Sequence, residues 1–338
     1  MSKGLISLYL TILLSVGVLL SVFVIHPVKA GMITVPDDFS TIQEAINHAN
    51  EGDTIFVRNG TYYEHVLVNK TVTLVGEDKQ ITNIDGNNTG NCVTIQSNGA
   101  VLKDFTIENG KLYNIRVGKN VSQVVIDNNF VIDSYWGIHL GGSLNSTIKG
   151  NLVKHCRDTG LFLESSSYNT IIGNTLVNNH QGIVLAIAPH IPEIPPVLCV
   201  SNTVYYNNLL NNSIQAVVQV GGYVAFNRWD NGYRFGGNYW SNYNGTDSNQ
   251  DGIGDAPYAI DTNNQDRYPL MDPWKPLLGD INDDRVVDIL DIVAITSIYG
   301  CKEGELKWNP EADLAPQYGR IDILDLVTCT SHYGEKYH

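Results

Sequence analysis

The sequence predicts a mainly β chain, built as a parallel β-helix and followed by a small all-α module at the C-terminus. Short segments rich in Val, Ile and Thr alternate with turns, and a turn asparagine returns after 22, 23 and 34 residues, at Asn129, Asn151, Asn174 and Asn208. A period near 23 residues indicates a solenoid. The longest interval contains a Pro-rich insertion at residues 189–196. The leucine-rich-repeat frame is missing, and helical repeats would not carry so many β-branched residues.

These asparagines are assigned to structure rather than to catalysis. In a parallel β-helix, asparagines at the same turn of successive coils stack and exchange amide hydrogen bonds. The start of the repeat region differs, because residues 39–49 place apolar side chains at helical spacing, with Ser40 as the expected N-cap. This helix would cover the open end of the solenoid, which would otherwise expose an apolar edge. A strand is expected at residues 53–57 and a turn at residues 60–64.

The N-terminal segment reads as a targeting signal. Lys3 precedes an uncharged apolar run that ends at Ile25, and a small-residue cleavage site ends at Ala30. We expect residues 1–30 to be a signal peptide or an N-terminal membrane anchor. Either alternative places the remaining chain outside the membrane, in an extracellular or cell-surface location, with membrane contact only through this segment.

The remaining boundaries follow from the patterns and the charge. We expect the β-helix over residues 31–272, a linker over residues 273–278 and the α-helical module over residues 279–338. The chain of 338 residues carries a net charge of −14. It has no basic stripe, so a nucleic-acid partner is not expected.

A duplication marks the C-terminal module. Residues 288–293, DILDIV, return as DILDLV at residues 322–327. Oxygen donors before and within the first copy fall on loop positions 1, 3, 5, 7, 9 and 12 of a calcium loop: Asp280, Asn282, Asp284, the Val286 carbonyl, Asp288 and Asp291. Ca²⁺ takes six to eight oxygens from such a loop, so we expect it as the cofactor. Arg285 stands at position 6, where glycine is expected, and this departure adds strain to the turn.

Two other loops are weaker candidates for calcium. The second copy is one residue too long and keeps Asp313, Asp322 and Asp325. Backbone carbonyls could complete its shell, or the loop could serve packing alone. A third loop places oxygen donors at similar spacing, with Gly252 at position 6: Asp247, Asn249, Asp251, the Ile253 carbonyl and Asp255. No helix follows it, so calcium and an Asx-rich turn both stay open.

Two family resemblances follow from these motifs. Residues 39–86 resemble the opening of pectin-lyase-like right-handed β-helix proteins. Residues 33–272 are similar to the NosD-type β-helix family, whose usual ending matches GNYWSNY at residues 237–243 and the segment to residue 270. Residues 279–334 resemble a dockerin, a calcium-dependent module that binds cohesin domains. The resemblances imply a right-handed, single-stranded β-helix and a cohesin-like scaffold protein as partner.

The dockerin resemblance also implies partner-binding residues. In dockerin-like modules the corner between loop and helix faces the partner, and here that corner holds an apolar pair in each copy: Ile289, Leu290, Ile323 and Leu324. The alternative is that these side chains pack on each other or on Trp308. Cys301 and Cys329 would form a disulfide if the two helices bring them together, and stay free thiols otherwise.

No catalytic residue is assigned. The motif at residues 60–64 resembles a pectin-methylesterase opening, but the aspartates that this family needs downstream are missing. Two sets of recurring side chains stay as alternatives, a carboxylate cluster and a metal site: Asp127, Asp133, Asp158 and Glu164, and His139, His155 and His180. The leading hypothesis is a non-catalytic scaffold that binds a glycan or a protein and docks through its calcium-stabilised module. The alternative is a polysaccharide lyase or glycoside hydrolase carried in a cohesin–dockerin assembly.

Overall fold

The computed structural model describes residues 30–188, 197–282, 284–302, 305, 307–315 and 319–336. The expected targeting segment, apart from residue 30, and the Pro-rich insertion lie outside these residues. Within the described part of the chain, no helix is both long and apolar enough to cross a membrane.

The main body is a right-handed parallel β-solenoid of about seven coils, as the sequence predicted. Three parallel sheets form its walls. Sheet A contains β1 (Met32–Val35), β2 (Thr54–Val57), β5 (Thr73–Gly76), β8 (Val101–Lys103), β11 (Val125–Asp127), β14 (Thr147–Lys149), β17 (Thr170–Ile172) and β20 (Thr203–Tyr205). Sheet B contains β3 (Gly60–Tyr62), β6 (Thr82–Asp85), β9 (Thr106–Glu108), β12 (Phe130–Ile132), β15 (Leu152–Lys154), β18 (Thr175–Val177), β21 (Asn208–Leu210) and β23 (Tyr239–Trp240). Sheet C contains β4 (Val66–Val68), β7 (Val93–Ile95), β10 (Tyr113–Val117), β13 (Trp136–Gly141), β16 (Thr159–Glu164), β19 (Gln181–Ala186) and β22 (Ile214–Gln219).

The core lies inside the solenoid, where each strand points aliphatic side chains inward. In sheet A, Ile126, Ile148 and Ile171 stack in register and are fully buried. Burying a side chain of this size contributes roughly 1.5–3 kcal/mol. The repeated stack explains why strands of only three residues hold the walls together.

Asparagine ladders run along the turns of the solenoid. The longest ladder starts at Asn129, and each later member accepts at Oδ1 from the backbone N–H and the Nδ2 of the asparagine one coil earlier: Asn151, Asn174, Asn207 and Asn238. The predicted stacking is therefore confirmed. The prediction of Asn208 as the turn asparagine of the fourth coil was wrong. Asn207 occupies the turn, and Asn208 is already the first residue of β21.

The N-terminal cap forms as predicted, with one correction. Helix α1 (Ile42–His48) buries Ile42 and Ile46 against the first coil. Its N-cap is Thr41 rather than Ser40, since the Thr41 hydroxyl accepts from Glu44 N at 3.1 Å. The residues at 60–62 form β3 rather than a turn, which brings Glu64 to accept from the first helical N–H groups.

The C-terminal end of the solenoid is closed by aromatic side chains and one buried acid. Trp240 stacks on Tyr258 with ring centroids 4.1 Å apart, beside the hairpin of β24 (Tyr258–Ala259) and β25 (Gln265–Asp266). Asp266 accepts from Asn238 N at 2.7 Å and from Trp240 Nε1 at 2.8 Å, so it terminates the long ladder. Burial raises the pKa of Asp266 to about 7.

A helical pair follows the solenoid. It consists of α2 (Ile289–Ser297) and α3 (Ile323–Ser331), with a 3₁₀ turn at Pro310–Ala312. The duplication is visible in the backbone, because Val287 exchanges hydrogen bonds with the 334–335 segment and Ile321 does so with the 300–301 segment. Cys301 and Cys329 are free thiols.

The linker fastens this pair to the solenoid. Trp274 stacks on Tyr206 at 5.2 Å, and its backbone N–H and carbonyl both bond to the side chain of Asn208. Lys149 of β14 lies 3.9 Å from Glu311 beside the 3₁₀ turn. The helical pair is thus seated on the outside of the last coils.

Candidate binding face and calcium loops

Outward-pointing side chains of sheet C form a cluster, here named the aromatic face. It consists of Tyr113, Arg116, Trp136, His139 and Phe162 on β10, β13 and β16. The strand register places Tyr113 beside Trp136 and sets Arg116, His139 and Phe162 in one row. The Tyr113 and Trp136 rings stack 5.0 Å apart at 21°, and the His139 ring lies 5.1 Å from that of Phe162.

Hydrogen bonds fix the indole of Trp136. Its Nε1 donates to Asp158 Oδ2 at 2.8 Å, and Gln181 Nε2 donates to the other oxygen of that carboxylate at 3.1 Å. Tyr135 packs edge-on against the indole at 4.6 Å. The ring is half-buried, so one part of it is held while another part faces solvent.

His139 points away from the solenoid core, but its neighbours in the aromatic face bury it. Only 4% of it is exposed, and the Tyr113 and Phe162 rings flank it at 5.0 and 5.1 Å. Its Nε2 lies 3.4 Å from Glu164 Oε2. Burial, and then the charge of Arg116, lower the pKa of His139 to about 4, so the ring is neutral at pH 7.

We expect His139 to make the protein less stable in acid. Its pKa rises from about 4 when folded to about 6.5 when unfolded, so its stabilising contribution is complete above pH 6.5 and is lost as the pH falls towards 4. Between pH 7 and pH 5 the wild type should lose about 2 kcal/mol more unfolding free energy than His139→Gln. Denaturant titrations at both pH values measure this difference. Equal losses in the two proteins would contradict the buried neutral state.

The aromatic face was missed in the sequence, although a signal existed. Arg116, His139 and Phe162 follow one another at intervals of 23 residues, which is the period of the solenoid. A repeat of large outward side chains at the solenoid period marks a surface row.

The four carboxylates of the proposed catalytic cluster do not come together. Asp127 ends β11 in sheet A, 3.6 Å from Lys149, whereas Asp158 and Glu164 bracket β16 in sheet C. Asp133 lies 3.3 Å from His155. Among the described residues, no three His, Cys, Asp or Glu side chains are grouped so as to hold a metal ion.

A different carboxylate pair occurs on sheet B. The register of β6 and β9 sets Asp85 beside Glu108. Burial first, and then the charges of Asp85 and Asp133, raise the pKa of Glu108. A carboxyl group whose pKa is raised beside a second carboxyl group is an arrangement that general acids use.

The first candidate calcium loop has its oxygen donors turned inward, onto the backbone of the loop. Asp280 Oδ1 and Asn282 Oδ1 accept from Asp284 N at 3.0 and 2.9 Å, and Asp280 Oδ2 accepts from Arg285 N at 2.8 Å. Arg285 adopts φ 71°, the left-handed conformation that position 6 requires. Carboxylate and amide oxygens are the donors that a hard cation takes, although the carboxylates of this loop are not grouped so as to hold one in the described residues.

The third loop repeats the first almost bond for bond. Asp251 N donates to Asp247 Oδ1 at 3.2 Å and to Asn249 Oδ1 at 3.3 Å, and Gly252 N donates to Asp247 Oδ2 at 2.9 Å. Gly252 has φ 78° at position 6. Ile253 N donates to Asp251 Oδ1, as Val286 N does to Asp284 Oδ1. Asp255 instead accepts from Ser248 and Thr246, away from this nest.

The aspartates at positions 9 and 12 of the two C-terminal loops accept hydrogen bonds from backbone N–H groups. Asp288 and Asp322 cap α2 and α3. Asp291 accepts from Ile281 N and Asp288 N, and Asp325 makes the matching bonds to Leu314 N and Asp322 N. Asp313 accepts from Gly319 N at 2.6 Å, but residues 316–318 lie outside the described part of the chain, so the front half of the second loop is not placed.

The apolar corners of the two copies face outward. Ile289 and Leu290 are 56% and 53% exposed, and Ile323 and Leu324 are 57% and 40% exposed. Val293 and Val327, one turn further along the helices, are exposed to a similar degree. The duplicated sequence therefore presents the same apolar surface twice.

The comparisons with known proteins concern the solenoid. Residues 46–190 match the family model described as "Periplasmic copper-binding protein (NosD)". A probable ABC transporter binding protein NosD from Stutzerimonas stutzeri is 31% identical over 160 residues, 43% of this chain and 33% of that protein. The protein of the same description from Pseudomonas aeruginosa is 29% identical over 167 residues, 46% of this chain and 35% of that protein. The chain spans about a third of the length of these relatives.

Among solved structures, pectin methylesterase from carrot aligns with a TM-score of 0.40 and 13% identity, covering 59% of this chain and 69% of that one. The family match supports the NosD-type β-helix that the sequence predicted. It ends before the third loop, the linker and the helical pair.

Proposed function

We propose that this chain is an exported, non-catalytic β-helix protein that binds a glycan on its aromatic face and is docked through the C-terminal helical pair. The aromatic face carries this proposal. Sugar rings present C–H faces that pack on aromatic rings, and a few fixed polar groups set their orientation. The face combines stacked Tyr113 and Trp136 rings with Arg116, whose guanidinium lies 5.9 Å from the Tyr113 centroid.

Export is supported by two observations. The apolar segment within residues 1–30 has the pattern of a targeting signal. The matching family model describes a periplasmic protein, which agrees with a chain that leaves the cytoplasm. The copper in that description is not carried over, because no three His, Cys, Asp or Glu side chains in the described part of the chain are grouped so as to hold a metal ion.

The docking role rests on the helical pair. Its first loop would hold Ca²⁺ with Asp280, Asn282, Asp284 and the Val286 carbonyl, and the ion would stiffen the loop that precedes α2. The exposed apolar corners at residues 289–290 and 323–324 would then contact a cohesin-like scaffold protein, since matched apolar patches of this kind mark interaction sites.

Replacement of Trp136 tests the glycan site. Trp136→Ala removes the central ring and should weaken glycan binding at least about tenfold, since aromatic anchors dominate such contacts. Binding of the full chain is measured on a glycan array and then by calorimetry with the best oligosaccharide. The control is Tyr63→Ala, which removes an aromatic ring that is 71% exposed in the first coil. Equal binding by both variants and the wild type would contradict the assignment of this face.

One observation favours a second candidate, a glycoside hydrolase or lyase. Glu108 has a raised pKa beside Asp85, as a general acid would. In this case Glu108→Gln would abolish turnover of a bound polysaccharide while leaving its binding to Trp136 intact.

A further inference from the structure

Seven asparagines of this chain stand in the motif Asn-x-Ser/Thr, where x is not proline: Asn59, Asn69, Asn87, Asn120, Asn145, Asn211 and Asn244. This motif, the sequon, is the acceptor sequence for N-linked glycans. Asparagine is frequent in this chain, so sequons also arise by chance. The place of each asparagine in the fold distinguishes an acceptor from a chance match.

All seven sequon asparagines are exposed, and all lie in turns or loops between the strands and helices. Among the described residues, none of their side-chain amides makes a hydrogen bond. Asn59, Asn87 and Asn211, for example, donate only through the backbone N–H. The Nδ2 atom of each sequon can therefore react without the loss of a native contact.

The asparagines that hold the fold together are a separate set. Every asparagine that is buried in the described part of the chain lies outside the motif. The two sets meet at residues 211 and 212. Asn211 is exposed and has Ser213 two residues later, whereas Asn212 is buried and accepts from Asn179 Nδ2 at 3.0 Å. Ladder asparagines and sequon asparagines are thus sorted by burial.

The turn backbone explains some of these asparagines but not the motif. Asn87 and Asn88 are both exposed and both left-handed, with φ of 48° and 56°. Asparagine is favoured in this conformation. Only Asn87 has a hydroxyl two residues later, on Thr89, and a left-handed turn does not need that hydroxyl.

Three sequons recur along one edge of the solenoid. Asn69, Asn120 and Asn145 follow β4, β10 and β13, in the turn that leads from sheet C to sheet A. Because the coils stack in register, groups attached at these positions would project from the same edge. This edge lies outside the strands that carry the aromatic face.

We propose that the chain is N-glycosylated at its exposed turn sequons, including the row formed by Asn69, Asn120 and Asn145. This inference rests on the proposed export of the chain, since glycans at this motif belong to secreted proteins. The sugar donor is a lipid-phosphate-linked oligosaccharide. Asparagine Nδ2 forms a bond to the anomeric carbon, the bond from that carbon to the phosphate oxygen breaks, and the lipid phosphate leaves. The displaced amide proton passes to a base of the transferring enzyme.

Peptide mass spectrometry tests this on the full chain, purified from outside the cytoplasm of its source organism. Peptides that contain the sequons should carry a glycan mass, and fragmentation should place it on Asn87 and leave the neighbouring Asn88 bare. Asn69→Gln should lower the mass of the intact chain by one glycan. Thr71→Ala should cause the same loss while keeping the asparagine. The control is Asn263→Gln, at an exposed asparagine outside the motif, which should leave the glycan mass unchanged.

Cell fractionation separates this inference from the export on which it rests. Bare asparagine at all seven sequons, in chain recovered outside the cytoplasm, would overturn the inference and leave export in place. A chain confined to the cytoplasm with bare sequons would overturn both. A glycan on Asn69 that persists in Thr71→Ala would contradict recognition of the sequon.

Discussion

Asn174→Ala should destabilise the protein by about 3–5 kcal/mol, because it opens the long asparagine ladder at its centre. Asn174 Oδ1 accepts from Asn151 N at 3.0 Å and from Asn151 Nδ2 at 2.9 Å. Its Nδ2 donates to Asn207 Oδ1 at 2.9 Å and to two backbone carbonyls. Alanine removes all five of these bonds and leaves the buried N–H of Asn151 without its acceptor, and an orphaned buried group costs roughly 1–3 kcal/mol.

The matched control is Asn263→Ala, at an exposed position whose side chain makes no hydrogen bond among the described residues. Its effect should stay within about 0.5 kcal/mol. Denaturant unfolding of both variants gives the comparison. Similar losses of unfolding free energy at the two positions would mean that the ladder does not stabilise the fold.

Removal of calcium should have the second large effect, confined to the helical pair. At a calcium concentration of about 100 times the Kd, the bound ion adds roughly 2.7 kcal/mol to the stability of the region that binds it. A chelator should therefore increase hydrogen exchange over residues 279–302 and leave the core strands of the solenoid unchanged. Asp280→Asn keeps the size of the side chain but removes its charge, and should reproduce the effect without chelator. If exchange in this segment is indifferent to chelator in the wild type, the calcium assignment is wrong.

The sequence predicted the features that the packing of the core requires. The asparagine period and the inward aliphatic residues follow the solenoid repeat because each coil must stack on the last. The sequence could not decide between adjacent residues that suit the same role. Thr41 and Ser40 are both good caps, and Asn207 and Asn208 both suit a ladder, so only the path of the backbone decides between them.

Contacts between distant segments were beyond the sequence patterns. Arg234 and Asp284 are 50 residues apart, and no periodicity links them. The similarity of the first and third loops could be predicted in part, because oxygen donors at positions 1, 3 and 5 recur in both. Their matching hydrogen bonds depend on the left-handed residue at position 6, which is Gly252 in one loop and Arg285 in the other. Arginine at this position predicted a strained turn, and its buried side chain lies against Gly236 of the solenoid.

The most direct test of the central claim follows binding and chemistry in one reaction. The full chain is incubated with the polysaccharide it retains best, and bound glycan, new reducing ends and unsaturated products are measured together, for wild type, Trp136→Ala and Glu108→Gln. Our account predicts saturable binding by wild type and Glu108→Gln, loss of binding in Trp136→Ala, and no products from any of the three. Product formation by the wild type that disappears in Glu108→Gln would contradict a non-catalytic binding protein.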